Sequence, residues 1–264
     1  MSKAKLSVIL LAALVFFDAT EANADSCPTV TDAIATDRPS QTNSSLVVPV
    51  GSLQAENGLN FTGAQGSEVL DGTNTRLRFG LTPCLEFLVD LPSYSATVQG
   101  SGSSGFSDIA PAIKWQISPL PGTLDLSAIF GAALPTGSAN ISGQGVQPYL
   151  QFPWSWQLRD GWSLSGMASA FVRPSDPSGS VTETTFAIGK NVTDKASLFV
   201  EYVGDYPQNS GSSQLLNSGG TYRLSPTQQV DFRIAFGLNR NAATYIVGIG
   251  YSFRLDGVLA GRPK

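Results

Sequence analysis

Apolar and polar positions alternate with a period of two along most of this chain. The pattern is cleanest near the C-terminus. Val230, Phe232, Ile234, Phe236 and Leu238 alternate with Asp231, Arg233, Ala235 and Gly237. After a break at residues 239–243, Tyr245, Val247, Ile249, Tyr251 and Phe253 alternate with Ile246, Gly248, Gly250 and Ser252. Period-two alternation marks strands with one apolar face and one polar or small face. Each run is about nine or ten residues, longer than the five or six usual in globular proteins and long enough to cross a bilayer as a tilted strand.

The same reading predicts twelve strands, at about residues 53–62, 76–81, 85–91, 108–117, 124–134, 147–158, 162–172, 181–189, 197–205, 216–224, 230–238 and 245–253. The eighth has the weakest alternation and the tenth is rich in glycine. Every second connection is short: Thr82-Pro83-Cys84, residues 118–122, Arg159-Asp160-Gly161, residues 191–195 and residues 225–228. The others are mostly longer and rich in Gly and Ser, as at residues 63–73, 92–105, 135–145 and 173–180. This two-beat rhythm is that of an outer-membrane barrel with tight periplasmic turns and larger extracellular loops. A soluble β-sandwich has no reason for it. The expected fold is all-β: a twelve-stranded antiparallel up-and-down transmembrane β-barrel over residues 51–254, with a short C-terminal tail at 255–264.

The N-terminus reads as a secretion signal. Lys3 and Lys5 precede an apolar run at residues 6–17, too short to span a membrane as a helix, and Ala22-Asn23-Ala24 is a cleavage site of the A-x-A type. Residues 1–24 are thus expected to be removed. Export followed by strand insertion places the protein in the outer membrane of a Gram-negative cell, with lipid and the barrel-assembly machinery as partners. Residues 25–50 lack the dyad and hold Pro28, Pro39 and Pro49. They form an irregular segment, either in the periplasm or folded into the lumen.

Composition sharpens the picture. The net charge is −4, which argues against a nucleic-acid partner. Charged residues make up 14% of the chain, against about 25% in soluble domains. Trp115, Trp154, Trp156, Trp162, Tyr222, Tyr251 and Phe253 fall on the apolar face near short-turn or C-terminal ends, as in an interfacial aromatic girdle. The chain has no histidine, which removes Ser-His-Asp hydrolysis and His-ligated metal sites. No enzyme activity, cofactor or metal is expected.

The polar face carries Glu56, Arg76, Arg78, Glu86, Asp90, Asp108, Lys114, Glu201, Arg223, Asp231 and Arg233. These are the candidate lumen-lining residues. Two readings stay open: they brace a narrow lumen, or they line a permeation path and set its field. Cys27 and Cys84 both belong to the periplasmic side of the expected barrel; they pair in an oxidising compartment or remain unrelated thiols.

Several short segments resemble one family. Ala35-Thr36-Asp37-Arg38-Pro39-Ser40 and the run at residues 48–58 resemble the start of the MetA-pathway of phenol degradation family. Gly105-Phe106-Ser107-Asp108-Ile109, Leu134-Pro135-Thr136-Gly137 and Thr221-Tyr222-Arg223-Leu224-Ser225 follow in the same order. The resemblance implies an outer-membrane barrel labelled a transporter and linked by name to aromatic compounds, with no catalytic residues. It marks Asp37, Arg38 and Pro39 as a motif without an assigned role; ion pairing with lumen charges is one hypothesis. The Thr82-Pro83-Cys84 turn and the C-terminal tail depart from it. The expected function is passive passage of small, hydrophobic or aromatic solutes. A closed structural or adhesive barrel and a secreted soluble ligand-binding β-barrel are the alternatives.

Overall fold

A computed structural model describes Cys27 and residues 33–117, 123–143, 145–174 and 176–258. The signal sequence, the turn at 118–122 and tail residues 259–264 lie outside the described residues. The strands are β1 (Leu53–Ala64), β2 (Ser67–Gly72), β3 (Arg76–Thr82), β4 (Leu85–Asp90), β5 (Tyr94–Gln99), β6 (Gly105–Phe106), β7 (Ala110–Ile117) and β8 (Leu124–Ala133). They continue as β9 (Gln147–Gln157), β10 (Trp162–Phe171), β11 (Val181–Asn191), β12 (Ala196–Pro207), β13 (Ser213–Ser225), β14 (Gln228–Gly237) and β15 (Tyr245–Leu255). All strand pairings are antiparallel, and β15 closes on β1 from Leu53↔Leu255 to Gly63↔Tyr245.

Fifteen strands make twelve staves because three staves are broken. β2 and β3 follow one another beside β1, which pairs with both. β4 with β5, and β6 with β7, are split in the same way. The breaks lie side by side at residues 73–75, 91–93 and 107–109, and irregular bonds stitch them. Leu91 N–H donates to Thr75 O at 2.9 Å, Ser107 N–H to Ser93 O at 2.9 Å, and Ser93 N–H to the Ser107 hydroxyl at 2.8 Å. Serine hydroxyls replace missing ladder partners where the pleat is lost.

The structure corrects two expected loops. Residues 63–73 contain β2, joined to β1 by a two-residue turn in which Gln65 and Gly66 both have positive φ (47° and 83°). That geometry matches the right-handed twist of a hairpin, and glycine reaches it freely. Residues 92–105 contain β5 and the start of β6. Both segments are rich in Ser, Gly and Thr, so the apolar contrast that reveals a strand is faint there.

The outward face is a continuous apolar belt: Phe130, Phe186, Val200, Phe232 and Ile249 are among its exposed side chains. The inward face is polar and buried. Glu56, Arg78, Glu86, Lys114 and Glu201 each have 0% exposure. A soluble protein would show the opposite distribution. The apolar cluster in the lumen is small: Leu88, Ala112 and Ile129 pack together with Tyr149 against them.

Candidate functional site: a lumen filled by the N-terminal segment

Residues 35–48 lie in the lumen, from Ala35 O, which accepts from Gln54 and Arg78, to Val48 N–H, which donates to Glu86. This irregular segment makes no continuous ladder, so its backbone N–H groups need other acceptors. Barrel carboxylates supply them. Glu56 Oε2 accepts from Asp37 N–H at 2.9 Å and Arg38 N–H at 3.1 Å. Glu201 accepts from Gln41 N–H at 2.9 Å and Thr42 N–H at 2.8 Å. Glu86 Oε2 accepts from Val48 N–H at 2.7 Å. Such bonds to charged acceptors contribute about 1.5–3 kcal/mol each when water is excluded. Leaving the segment, Val50 forms an isolated parallel bridge with Gly80, and Gly51, at φ 74°, turns the chain into β1.

Asp37 is the hub. Its carboxylate lies 2.9 Å from Arg76, 3.1 Å from Lys114 and 3.4 Å from Arg78. Its Oδ1 also accepts from Ser44 N–H at 2.8 Å. Arg78 reaches on to Glu86 at 2.9 Å and Glu56 at 3.1 Å, and Lys114 reaches Glu86 at 3.2 Å. Arg76 forms a two-pronged pair with Asp90, at 2.6 Å and 2.8 Å. The burial of these charges is tolerable because each is paired and hydrogen-bonded. Arg38 follows Asp37 and points across the lumen to Asp231 (3.3 Å) and Ile249 O (3.2 Å).

Three candidate residues sit apart from this network. Arg233 faces a cavity, its Nε donating to Asn60 at 3.2 Å. Asp108 belongs to the mouth at the long-loop end. Its carboxylate accepts from Thr136 N–H (3.0 Å), Gly137 N–H (2.9 Å), the Ser142 hydroxyl (2.6 Å) and Gly143 N–H (2.9 Å). Burial pushes the Asp108 carboxyl up, but these donors outweigh it and hold it below its ordinary value. Arg223 stands at the opposite rim, donating to Asp194 O in the β11–β12 turn.

Sequence alternation does not single out Glu183 or Asn217. Glu183 is buried in the lumen and accepts from the Gln41 amide at 3.0 Å; Asn217 donates to Glu201 at 2.8 Å. The outward neighbours of Glu183 are Thr182 and Thr184, whose hydroxyls blunt the contrast of β11, and glycines do the same around Asn217. Gln54, Gln116 and Gln151 fall on the polar face and are buried there, but lack the charge that draws notice.

The seven aromatic residues expected at an interface all face outward, and all but Trp154 lie within four residues of a short turn or of the end of β15. The Lys190 ammonium stands 5.0 Å over the Trp162 ring. Cys27 and Cys84 are disulfide-bonded with Cα atoms 5.4 Å apart, tying the N-terminal segment to the β3–β4 turn.

A row of cavities descends from the long-loop mouth. The first, about 640 Å³, shares Asp90, Gln147 and Arg173 with a second of about 310 Å³. The second has an aromatic side, Tyr149 and Phe171, with ring centroids 5.8 Å apart. It shares Gln41, Asn43, Arg76 and Asp90 with a third of about 270 Å³. A fourth, about 290 Å³, opens among Ser163, Asn191 and Gln229 toward the short-turn end. Arg38, Pro39 and Ser40 line both the third and the fourth. The Asp37-Arg38-Pro39 motif therefore holds the partition between the two halves of the lumen.

The chain resembles solved outer-membrane barrels in fold. The COG4313 outer membrane channel from Pseudomonas putida F1 aligns with a TM-score of 0.65 and 13% identity, over 80% of this chain and 98% of that one. The NanC porin aligns at 0.56 and 14%, over 77% and 100%, and the KdgM porin in complex with disordered oligogalacturonate at 0.54 and 7%, over 76% and 98%. Among curated proteins, none matches the sequence. The family model described as "Putative MetA-pathway of phenol degradation" matches residues 36–255, from the lumenal motif to the last residue of β15. With that match spanning both the barrel and its lumenal segment, the chain belongs to this family.

Proposed function

We propose that the protein is exported through a cleaved signal peptide, inserts in the outer membrane, and lets small solutes pass passively along its lumen. The cavity row carries this reading: continuous lining residues lead from the mouth to Arg38-Pro39-Ser40, and the same three residues face the cavity beyond. A twelve-stranded barrel lies between side-chain-filled eight-stranded barrels and wide porins, so a lumen narrowed by one chain segment suits small solutes. The solved barrels of similar fold are channels and porins, which supports the reading by analogy. The family's description mentions phenol, and the Tyr149–Phe171 side of the second cavity offers an apolar surface for an aromatic ring. Small aromatic solutes are the class we favour. The polar wall opposite, Arg76 with Asp90, suits a hydroxyl or other polar substituent.

A closed structural barrel is the second reading, favoured by the dense bonding of residues 37–48 to the wall. Planar-bilayer recording separates the two. The mature chain should give small openings, and a chain lacking residues 25–50 much larger ones. Silence from both would leave the closed barrel standing and end the transport reading.

A further inference from the structure

Lys190 is the one lysine or arginine on the outward face of the barrel strands among the described residues; Arg76, Arg78, Lys114, Arg223, Arg233 and Arg254 all alternate inward. A lone cation on an apolar belt is costly unless it reaches the interface. Lys190 does so: it is paired across the ladder with Trp162, stands over that ring, and donates to Asp160 O in the adjacent short turn. Beside it lies a groove of about 460 Å³ on the outer surface. Ile188, Leu198 and Val200 form one wall and Phe232 the other, while Ser218 and Gly220, the outward small residues of β13, leave the floor low. The register runs Trp162, Lys190, Leu198, Gly220, Phe232 across five neighbouring strands, so the ammonium sits at the groove's girdle end. Two strand spacings, about 10 Å, separate Lys190 from the groove floor, a span that a lipid headgroup and one acyl chain bridge.

We propose that this groove is a binding site for one anionic phospholipid of the short-turn leaflet. An acyl chain lies along β13 over Ser218, and the headgroup phosphate pairs with Lys190. Charge selects the occupant: an apolar groove alone accepts any acyl chain, whereas a single cation at its interfacial end favours lipids with net negative charge. The Trp162 ring keeps the ammonium at headgroup depth. The inference rests on membrane insertion, and its test separates the two.

The test is native mass spectrometry of the mature protein released from micelles containing equal phosphatidylglycerol and phosphatidylcholine. The expected result is one retained phosphatidylglycerol with a preference of about fivefold, the factor that one lysine near an anionic surface supplies. Lys190→Gln should retain lipid and lose the preference. Ser218→Leu should reduce retention of both lipids by filling the floor, with heat-modifiable gel mobility confirming a folded barrel. Equal retention of both lipids by the unaltered protein, or an unchanged preference in Lys190→Gln, overturns the site while leaving insertion intact. A protein that stays monodisperse without detergent and carries neither lipid overturns insertion and the site together.

Discussion

At the scale of single residues, the lumen is organised by carboxylates that serve two kinds of donor. Glu56, Glu86 and Glu201 accept backbone N–H groups from the lumenal segment, and Glu56 and Glu86 also face Arg78. Asp37 reverses the roles, bringing a carboxylate from the segment to Arg76, Arg78 and Lys114 of the wall. Asp37→Asn should therefore cost about 3 kcal/mol, the penalty of leaving buried cations short of a partner, seen as a lower midpoint in the heat-modifiable gel transition. No change in that midpoint would show that the hub is dispensable. The charged members of this network were legible because ionisable residues on the polar face of a clear dyad stand out. Their partners were not: the lumenal segment has no period of its own, so nothing in its sequence announces that its backbone bonds to Glu201, some 160 residues away.

At the scale of elements, long strands of high contrast are readable, whereas each broken stave shows only one of its halves, β3, β4 or β7. β14 and β15 alternate cleanly and lie where the pattern puts them. β2, β5 and β6 lie in segments whose sequence looks like loop, because Ser, Thr and Gly suit both strand edges and turns. Two family segments distant in sequence prove to be one structural unit: Asp108 of Gly105-Phe106-Ser107-Asp108-Ile109 caps the chain of Leu134-Pro135-Thr136-Gly137, and Ile109 bridges Leu134. Asp108→Ala should loosen this loop by about 2 kcal/mol, raising its cleavage rate by a limiting protease about thirtyfold. The pH dependence has a definite sign. Because the Asp108 carboxyl titrates below its ordinary value when folded, its contribution is full above that value and is lost as pH falls through the lowered one. Loop protection measured by pepsin at falling pH should drop in the unaltered protein and stay flat in Asp108→Ala.

At the scale of the whole molecule, an apolar belt outside and a paired polar network inside enclose a row of cavities that meets at Arg38-Pro39-Ser40, the point that the proposed passage would have to clear. The Cys27–Cys84 bond changes what can happen at that point. The segment continues into β1 at Leu53 and is crosslinked to the β3–β4 turn at Cys84, so both of its ends are moored at the same rim. It behaves as a bight of rope secured at two cleats: it can slacken or shift sideways, but it cannot be drawn out. Reduction casts off one mooring. Adding dithiothreitol on the short-turn side during bilayer recording should add rare, long-lived, large-amplitude events in the unaltered protein. Cys84→Ser should show them from the start, and their absence both from the reduced protein and from Cys84→Ser would mean that the charged contacts alone hold the segment in place.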